Sequence, residues 1–294
     1  MTRDWYERAT VRARGTPIPW QEEGCDFSPT LVPWALDPAI DGLAARELRR
    51  RRLCRYLHAT AALEVQVVDD VAARIAFDQL PIRFGDAARR DALRVFTDEG
   101  FHAVQAADLL EQAGPFTPDA PPCWLTRLDA LRAGRGTDDA ALVTFLFTVA
   151  TETLVSGHLR VLSRDPAVRP AVRAFVTGHA ADEAWHGAYF GERFCELWRE
   201  LAPGDRARLG PVVIEAVKAF LDPDVDAIVA DLRAVGLGAT EAAAVVARTV
   251  RAGDPERARW DEARPTLQCL RRAGALDEPS VRDALATGGL REVA

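Results

Sequence analysis

No two of the five cysteines (Cys25, Cys54, Cys123, Cys195 and Cys269) form a C-x-x-C pair. That absence argues against a zinc knuckle, a rubredoxin-type iron centre and a disulfide framework. A reduced, cytoplasmic setting is the simplest expectation. The N-terminus, Met1-Thr-Arg-Asp-Trp-Tyr, lacks the apolar core of a signal peptide. No apolar run is expected to span a membrane. Long β-branched runs are missing too, which leaves little from which to build a sheet. With a net charge of -7 there is no basic footprint for nucleic acid. Histidine is scarce, with five in 294 residues and none beyond His186.

What is abundant is Ala, Leu, Arg and Glu, in a chain that is 48% hydrophobic. This composition predicts an all-α fold with one large helical domain and appendages. Residues 1–40, rich in Trp and Pro, read as an irregular N-terminal arm anchored by burial of Trp5, Trp20 and Trp34. Residues 41–203 read as a four-helix bundle and residues 204–294 as a helical extension packed on it. The run Arg49-Arg50-Arg51-Arg52 reads as a solvated helix face, with docking of an acidic partner as the alternative.

Four long helices are expected in the bundle. The first spans about Asp41–Asp78, where Leu57, Ala61, Glu64, Val67, Val68, Val71 and Ile75 form one stripe. The second, about Asp86–Gln112, places Leu93, Phe96, Glu99, His102 and Ala106 on one side. A short helix near 124–133 precedes the third, about Asp138–Leu162, which is apolar almost all round and therefore buried. Glu152 is its sole carboxylate between Ala140 and Ser163. The fourth begins near Pro170 and runs to about Leu201. Beyond it, breaks are expected at Pro223, Gly236, Gly238, Gly253, Pro265 and Gly274.

Two of these helices carry the same motif. Asp98-Glu99-x-x-His102 and Asp182-Glu183-x-x-His186 each place a Glu and a His one turn apart on one face. Each is preceded, 35 and 31 residues earlier, by a glutamate in an apolar helix: Glu64 and Glu152. The order Glu…Glu-x-x-His, repeated, is the pattern of a dinuclear carboxylate site in a helical bundle. Carboxylate and imidazole ligands suit iron or manganese. Four carboxylates balance two divalent ions, whereas without metal their burial would raise their pKa values.

The other histidines test the assignment. His58 and His158 each lie six residues from Glu64 or Glu152, about 120° off the ligand face, and read as surface or structural residues. His179 lies four before Glu183 and seven before His186, within about 60° of their face, so it can reach the metal pocket. A third imidazole would make the two metal positions unequal. Asp98 and Asp182 are placed to accept a hydrogen bond from the free ring N–H of a ligand histidine. Spacing leaves open whether each serves its own helix or the facing one.

The pattern resembles the ferritin-like di-iron superfamily. With His179 added as His-x-x-x-Glu-x-x-His, it resembles the p-aminobenzoate N-oxygenase family over roughly residues 45–201. The resemblance implies metal ligation by Glu64, Glu99, His102, Glu152, His179, Glu183 and His186. It also implies two iron ions (manganese being the alternative), molecular oxygen as co-substrate, and an external electron donor, protein or chemical. The implied reaction is oxidation of a small amine to hydroxylamine, nitroso or nitro product, in natural-product biosynthesis. A substrate pocket about one turn from the ligands would be lined by Thr60, Val67, Val95, Phe96, Thr148, Val149, Val155 and Ser156. A homodimer is expected, and neither nucleic acid nor membrane as partner. Two other readings share the ligand set: a C–H oxidising di-iron enzyme (hydroxylase, desaturase or oxidative decarboxylase), and a ferritin- or rubrerythrin-like handler of iron or peroxide. A ribonucleotide reductase small subunit fits less well, because its radical tyrosine position is Ala106 here.

Overall fold

The computed structural model describes residues 5–13, 17–154, 156–250 and 255–289, the side chains of 156–158 and 255–260 excepted. Most of these residues are helical, and no strand occurs among them. The N-terminal arm is more ordered than its composition suggests. It holds two short helices, α1 (Trp5–Arg8) and α2 (Thr10–Ala13), and two 3-10 turns at Pro29–Leu31 and Pro33–Leu36.

Helix α3 (Gly42–Leu63) starts on Asp41, whose side chain accepts the N–H groups of Leu43 and Ala44. That satisfies two of the orphan donors at a helix start. At Glu64 the helix does not stop but widens into a π turn, Glu64–Val68, and continues as α4 (Asp69–Ala76). Helix α5 (Asp86–Gln112) returns alongside. After α6 (Cys123–Arg132), the buried helix α7 (Thr137–Leu154) crosses the core. α8 (Ser156–Arg164) follows within the span of the expected third helix, residue 155 between the two lying outside the described residues. Helix α9 (Pro170–Glu200) completes the set. α4 packs on α5 and α7, α5 on α9, and α9 on α7, which closes a four-helix ring.

The chain continues as α10 (Pro203–Leu221), α11 (Val225–Ala234), α12 (Ala239–Thr249), α13 (Pro255–Arg272) and α14 (Pro279–Thr287). Pro265 was expected to break the last third, but α13 runs through it. These helices divide between two cores. α10, α13 and α14 join α4, α6 and α7 in one. α11 and α12 join the arm, the start of α3 and α8 in the other. Thr153 Oγ1 and Thr266 Oγ1, 2.6 Å apart, also tie α7 to α13.

Three further expectations are corrected. Leu93 and Phe96 are 45% and 43% exposed, so they face away from the bundle. The inner face of α5 is set instead by Ala88, Ala92 and Val95, mostly small side chains that let α4 come close. The arginine run is not a solvated face. Arg51 and Arg55 both reach Asp231 on α11, at 2.6 and 2.8 Å, and Arg50 bonds the carbonyls of Ala113 and Pro115. Finally, Thr137–Arg164 is long and apolar enough to cross a membrane, but 87% of its most apolar window is buried inside the protein. It is a core segment, already solvated by other helices.

Of the three tryptophans given to anchor the arm, only Trp34 is buried, at 7% exposure. Trp20 is half-buried and stacks under the Arg169 guanidinium, 4.2 Å from its ring centroid. Trp5, also half-buried, is held by hydrogen bonds.

Trp124, Phe147 and Phe220 join α6, α7 and α10, with ring centroids 5.8–6.3 Å apart. Phe147 is fully buried there. Phe147→Ala is expected to cost about 3–5 kcal/mol, read as a lower midpoint in denaturant unfolding with an unchanged slope.

Candidate metal centre

The four ring helices deliver four glutamates and three histidines to one buried place. Glu64 comes from the π turn, Glu99 and His102 from α5, Glu152 from α7, and His179, Glu183 and His186 from α9; all seven are at most 6% exposed. Their donor atoms form two overlapping groups. One is Glu99, His102, His179 and Glu183; the other is Glu99, Glu152, Glu183 and His186, with all chosen atoms of each group within 4.8 Å of one another. Glu99 and Glu183 belong to both groups, as two carboxylates between two cations would. Glu64 stands just outside them, its Oε1 3.4 Å from His179 Nε2. The two halves are unequal in nitrogen: His102 and His179 on one side, His186 on the other.

The imidazoles are oriented in two ways. His102 and His186 turn Nδ1 inward, each 2.8 Å from an oxygen of Glu99. Their Nε2 atoms point outward, His102 to Asp182 Oδ2 and His186 to Asp98 Oδ2, both at 3.2 Å. Each aspartate therefore serves the histidine of the facing helix, which settles what spacing left open. His179 presents Nε2, 3.1 Å from Glu183 Oε1.

Many of these close atoms are not hydrogen bonded. Glu99 Oε1, Glu152 Oε2, Glu183 Oε2 and both ring nitrogens of His179 are buried without a hydrogen-bond partner. Burying so many unsatisfied polar atoms is costly, and convergence without bonding is what a ligand set for cations looks like. Carboxylate oxygens and imidazole nitrogens suit a divalent first-row metal.

In the metal-free chain the charges compensate one another. Burial pushes the Glu64 carboxyl up to about 7, aided by the Glu99 charge. Burial and the Glu183 and Glu99 charges raise Glu152 well above the usual range. Burial opposes charge on the imidazoles, but the carboxylates overcome it. His102 rises to about 8 and His179 to about 10, and His186 is raised well above its ordinary value. Glu183 is buried as well, yet His186 and His179 hold it well below the carboxylate range.

Sequence reasoning missed three contributors. Asp69, 6% exposed, has a carboxyl pushed up to about 8 by burial and then by the Glu99 and Glu64 charges, and its Oδ1 has no partner. Five residues after Glu64 is about 500° in an α-helix, well off the ligand face. The π turn, closed by the Asp69 N–H on the Glu64 carbonyl, brings it round. Gly187 is the second. A Cβ there would stand 2.6 Å from the Glu152 carbonyl oxygen, so only glycine lets α9 lie this close to α7. The signal was available, because Gly187 directly follows His186. The third is the arm, through Trp5 and Thr10.

A cavity of about 540 Å³ opens beside the cluster. Glu152 and Glu183 form its floor, and α8, α9 and α13 its walls; Arg160, Arg164, Gln268 and Arg272 border it. None of the described pocket expectations line it. Val67, Val95, Thr148 and Val149 are fully buried, Thr60 is 7% exposed, and Phe96 faces outward. Val155 lies outside the described residues, as do the side chains of Ser156 and His158. One turn along a ligand-bearing helix leads mostly into interhelical packing, whereas the open space lies where the ring meets α13. His58 is half-buried in a separate groove beside Pro118 and Pro121, away from the cluster.

Residues 8–274 match the family described as p-aminobenzoate N-oxygenase AurF. A 4-aminobenzoate N-oxygenase of Streptomyces thioluteus is 23% identical over 257 residues, covering 82% of this chain and 76% of the relative.

Two outcomes are expected. Metal must displace protons from the imidazoles and from Glu64 and Glu152. Calorimetric titration with Mn(II) should therefore show proton release, and affinity should weaken as pH falls from 8 to 6; pH-independent binding would contradict the charge pattern. Gly187→Ala should force α7 and α9 apart and lower metal content below two ions per chain, measured by elemental analysis.

Proposed function

The chain belongs to the p-aminobenzoate N-oxygenase family, and from that premise we propose that it is a di-iron, O2-dependent N-oxygenase of a small aryl amine. The reading rests on one observation above others: a seven-residue Glu/His cluster with unsatisfied ligand atoms opens, through Glu152 and Glu183, onto a ligand-sized cavity. The first oxidation would convert amine, O2, two electrons and two protons into hydroxylamine and water. The electrons come from an external donor, protein or chemical. Two iron ions bound by the cluster would supply oxygen activation.

The chain's own residues account for the rest. Glu99 and Glu183 hold the middle of the site. His102, His179 and Glu64 serve one side; His186 and Glu152 serve the other. Asp98 and Asp182 hold the outer ring nitrogens, which keeps the inner Nδ1 atoms directed at the centre. The cavity walls near the floor are small: Ala180, Ala184, Gly187 and Ala188. A flat ring can lie against them with its amino nitrogen toward Glu152 and Glu183. Burial keeps bulk water from the reacting atoms. At the rim, Arg160, Arg164 and Arg272 favour an anionic group on the far end of the substrate.

Two coarser features of the reading have separate support. The exposed apolar side chains Leu93, Phe96 and Val104 on the outer face of α5 support a homodimer. Five free thiols support a reducing, cytoplasmic location.

The test is anaerobic reconstitution with ferrous iron, followed by oxygen, a reductant and a panel of aryl amines with and without a carboxylate. Mass spectrometry should find hydroxylamine, nitroso or nitro products. Arg272→Ala should raise KM for carboxylated amines by about tenfold, a loss of about 1.4 kcal/mol, and leave neutral amines unaffected. Products oxidised only at carbon would overturn the reading.

A further inference from the structure

The arm reaches the cluster through its two outer aspartates. The Trp5 indole N–H donates to both oxygens of Asp98, each at 3.0 Å. The Thr10 backbone N–H donates to Asp182 Oδ2 at 3.2 Å, and the Thr10 hydroxyl donates to the Gly178 carbonyl. Asp98 and Asp182 are themselves fully buried. Each lies against the outward Nε2 of a cluster histidine: Asp98 against His186, Asp182 against His102. Two short relays therefore run from the arm to the centre, Trp5–Asp98–His186 and Thr10–Asp182–His102.

We propose that the N-terminal arm is a positioning element for the metal centre, with Trp5 fixing Asp98 so that His186 keeps Nε2–H outward and Nδ1 free for metal. The inference rests on the metal reading above. A carboxylate with both oxygens engaged by one indole cannot rotate freely, so the ring it accepts from is held in one tautomer. The two relays differ in kind. Thr10 donates through its backbone, which survives side-chain substitution. Trp5 donates through its side chain, so one substitution disconnects one relay. That predicts an effect on the Glu152/His186 side alone, with the His102/His179 side unchanged.

The experiment compares the full-length parent with Trp5→Phe, which keeps a ring but lacks the donor, and with Tyr6→Phe. Tyr6 packs edge-on against Trp5 but is 64% exposed, and serves as the control. Titration with Co(II) under anaerobic conditions is followed by the visible ligand-field bands. The parent and Tyr6→Phe should take up two ions. Trp5→Phe should bind one ion as the parent does and the other about tenfold more weakly with shifted bands, the low end of the effect of losing an outer partner. The metal-free variant should keep the parent's melting temperature to within a few degrees. Two Co(II) bound by Trp5→Phe with parental affinity and spectrum would overturn the proposal. So would equal weakening of both ions together with a large drop in the metal-free melting temperature, which marks a merely structural role. Proton exchange supplies a metal-independent check: fast exchange of the Trp5 indole proton in metal-free protein overturns the arm contact itself. A parent that binds no Co(II) sinks the metal reading, and the positioning role with it, before any variant is compared.

Discussion

Four glutamates and three histidines buried together form the constraint on which this structure depends. An isolated buried carboxylate is expensive, and here several stand within a few ångströms of one another. Without metal, the imidazoles carry the compensating charge, and Glu64 and Glu152 lean toward their neutral forms. Bound protons offset part of that cost, because each raised imidazole is matched by carboxylates beside it. The same atoms leave lone pairs without hydrogen bonds, which cations would satisfy. The site is thus held together by charge in either state, and the surrounding helices need only keep the side chains aimed inward.

The aiming is done by close helix packing. Gly187 removes the side chain that would keep α9 from the Glu152 carbonyl. Alanines on the inner face of α5 let α4 approach. The π turn at Glu64 adds one residue where the ligand sits and carries Asp69 to the same face. Two cores flank the ring, and the last third of the chain is divided between them. The extension therefore braces the bundle from two directions, and α13 also supplies a wall and an arginine to the cavity.

The outer aspartates join these features. Crossing from α5 to α9 and back, they make each histidine depend on the facing helix, so the geometry of either Glu-x-x-His pair is a property of both helices. The arm then fixes the aspartates from outside. The first part of that Trp- and Pro-rich segment, Trp5–Ala13, lies in the fold against the two outer aspartates of the cluster.

Sequence alone determined the helical class, the bounds of the long ring helices to within a few residues, and the seven residues that converge. Those readings depend on short-range periodicity: a Glu and a His three apart share a face in any helix, and His179 keeps that face at four and seven. The phase of Asp69 was illegible because a π turn breaks the period. The exposure of Leu93 and Phe96 was misread because α5 is apolar on more than one side, and only its neighbours choose which side is inside. The cavity beside Glu152 and Glu183 was not legible because open space arises between elements distant in sequence, α8, α9 and α13, and no spacing encodes it. The partners of Asp98 and Asp182, and the arm's hold on both, were likewise decided by the tertiary structure. Contacts spanning 80 to 172 residues follow from how the helices pack, whereas the ligands themselves follow from how one helix turns.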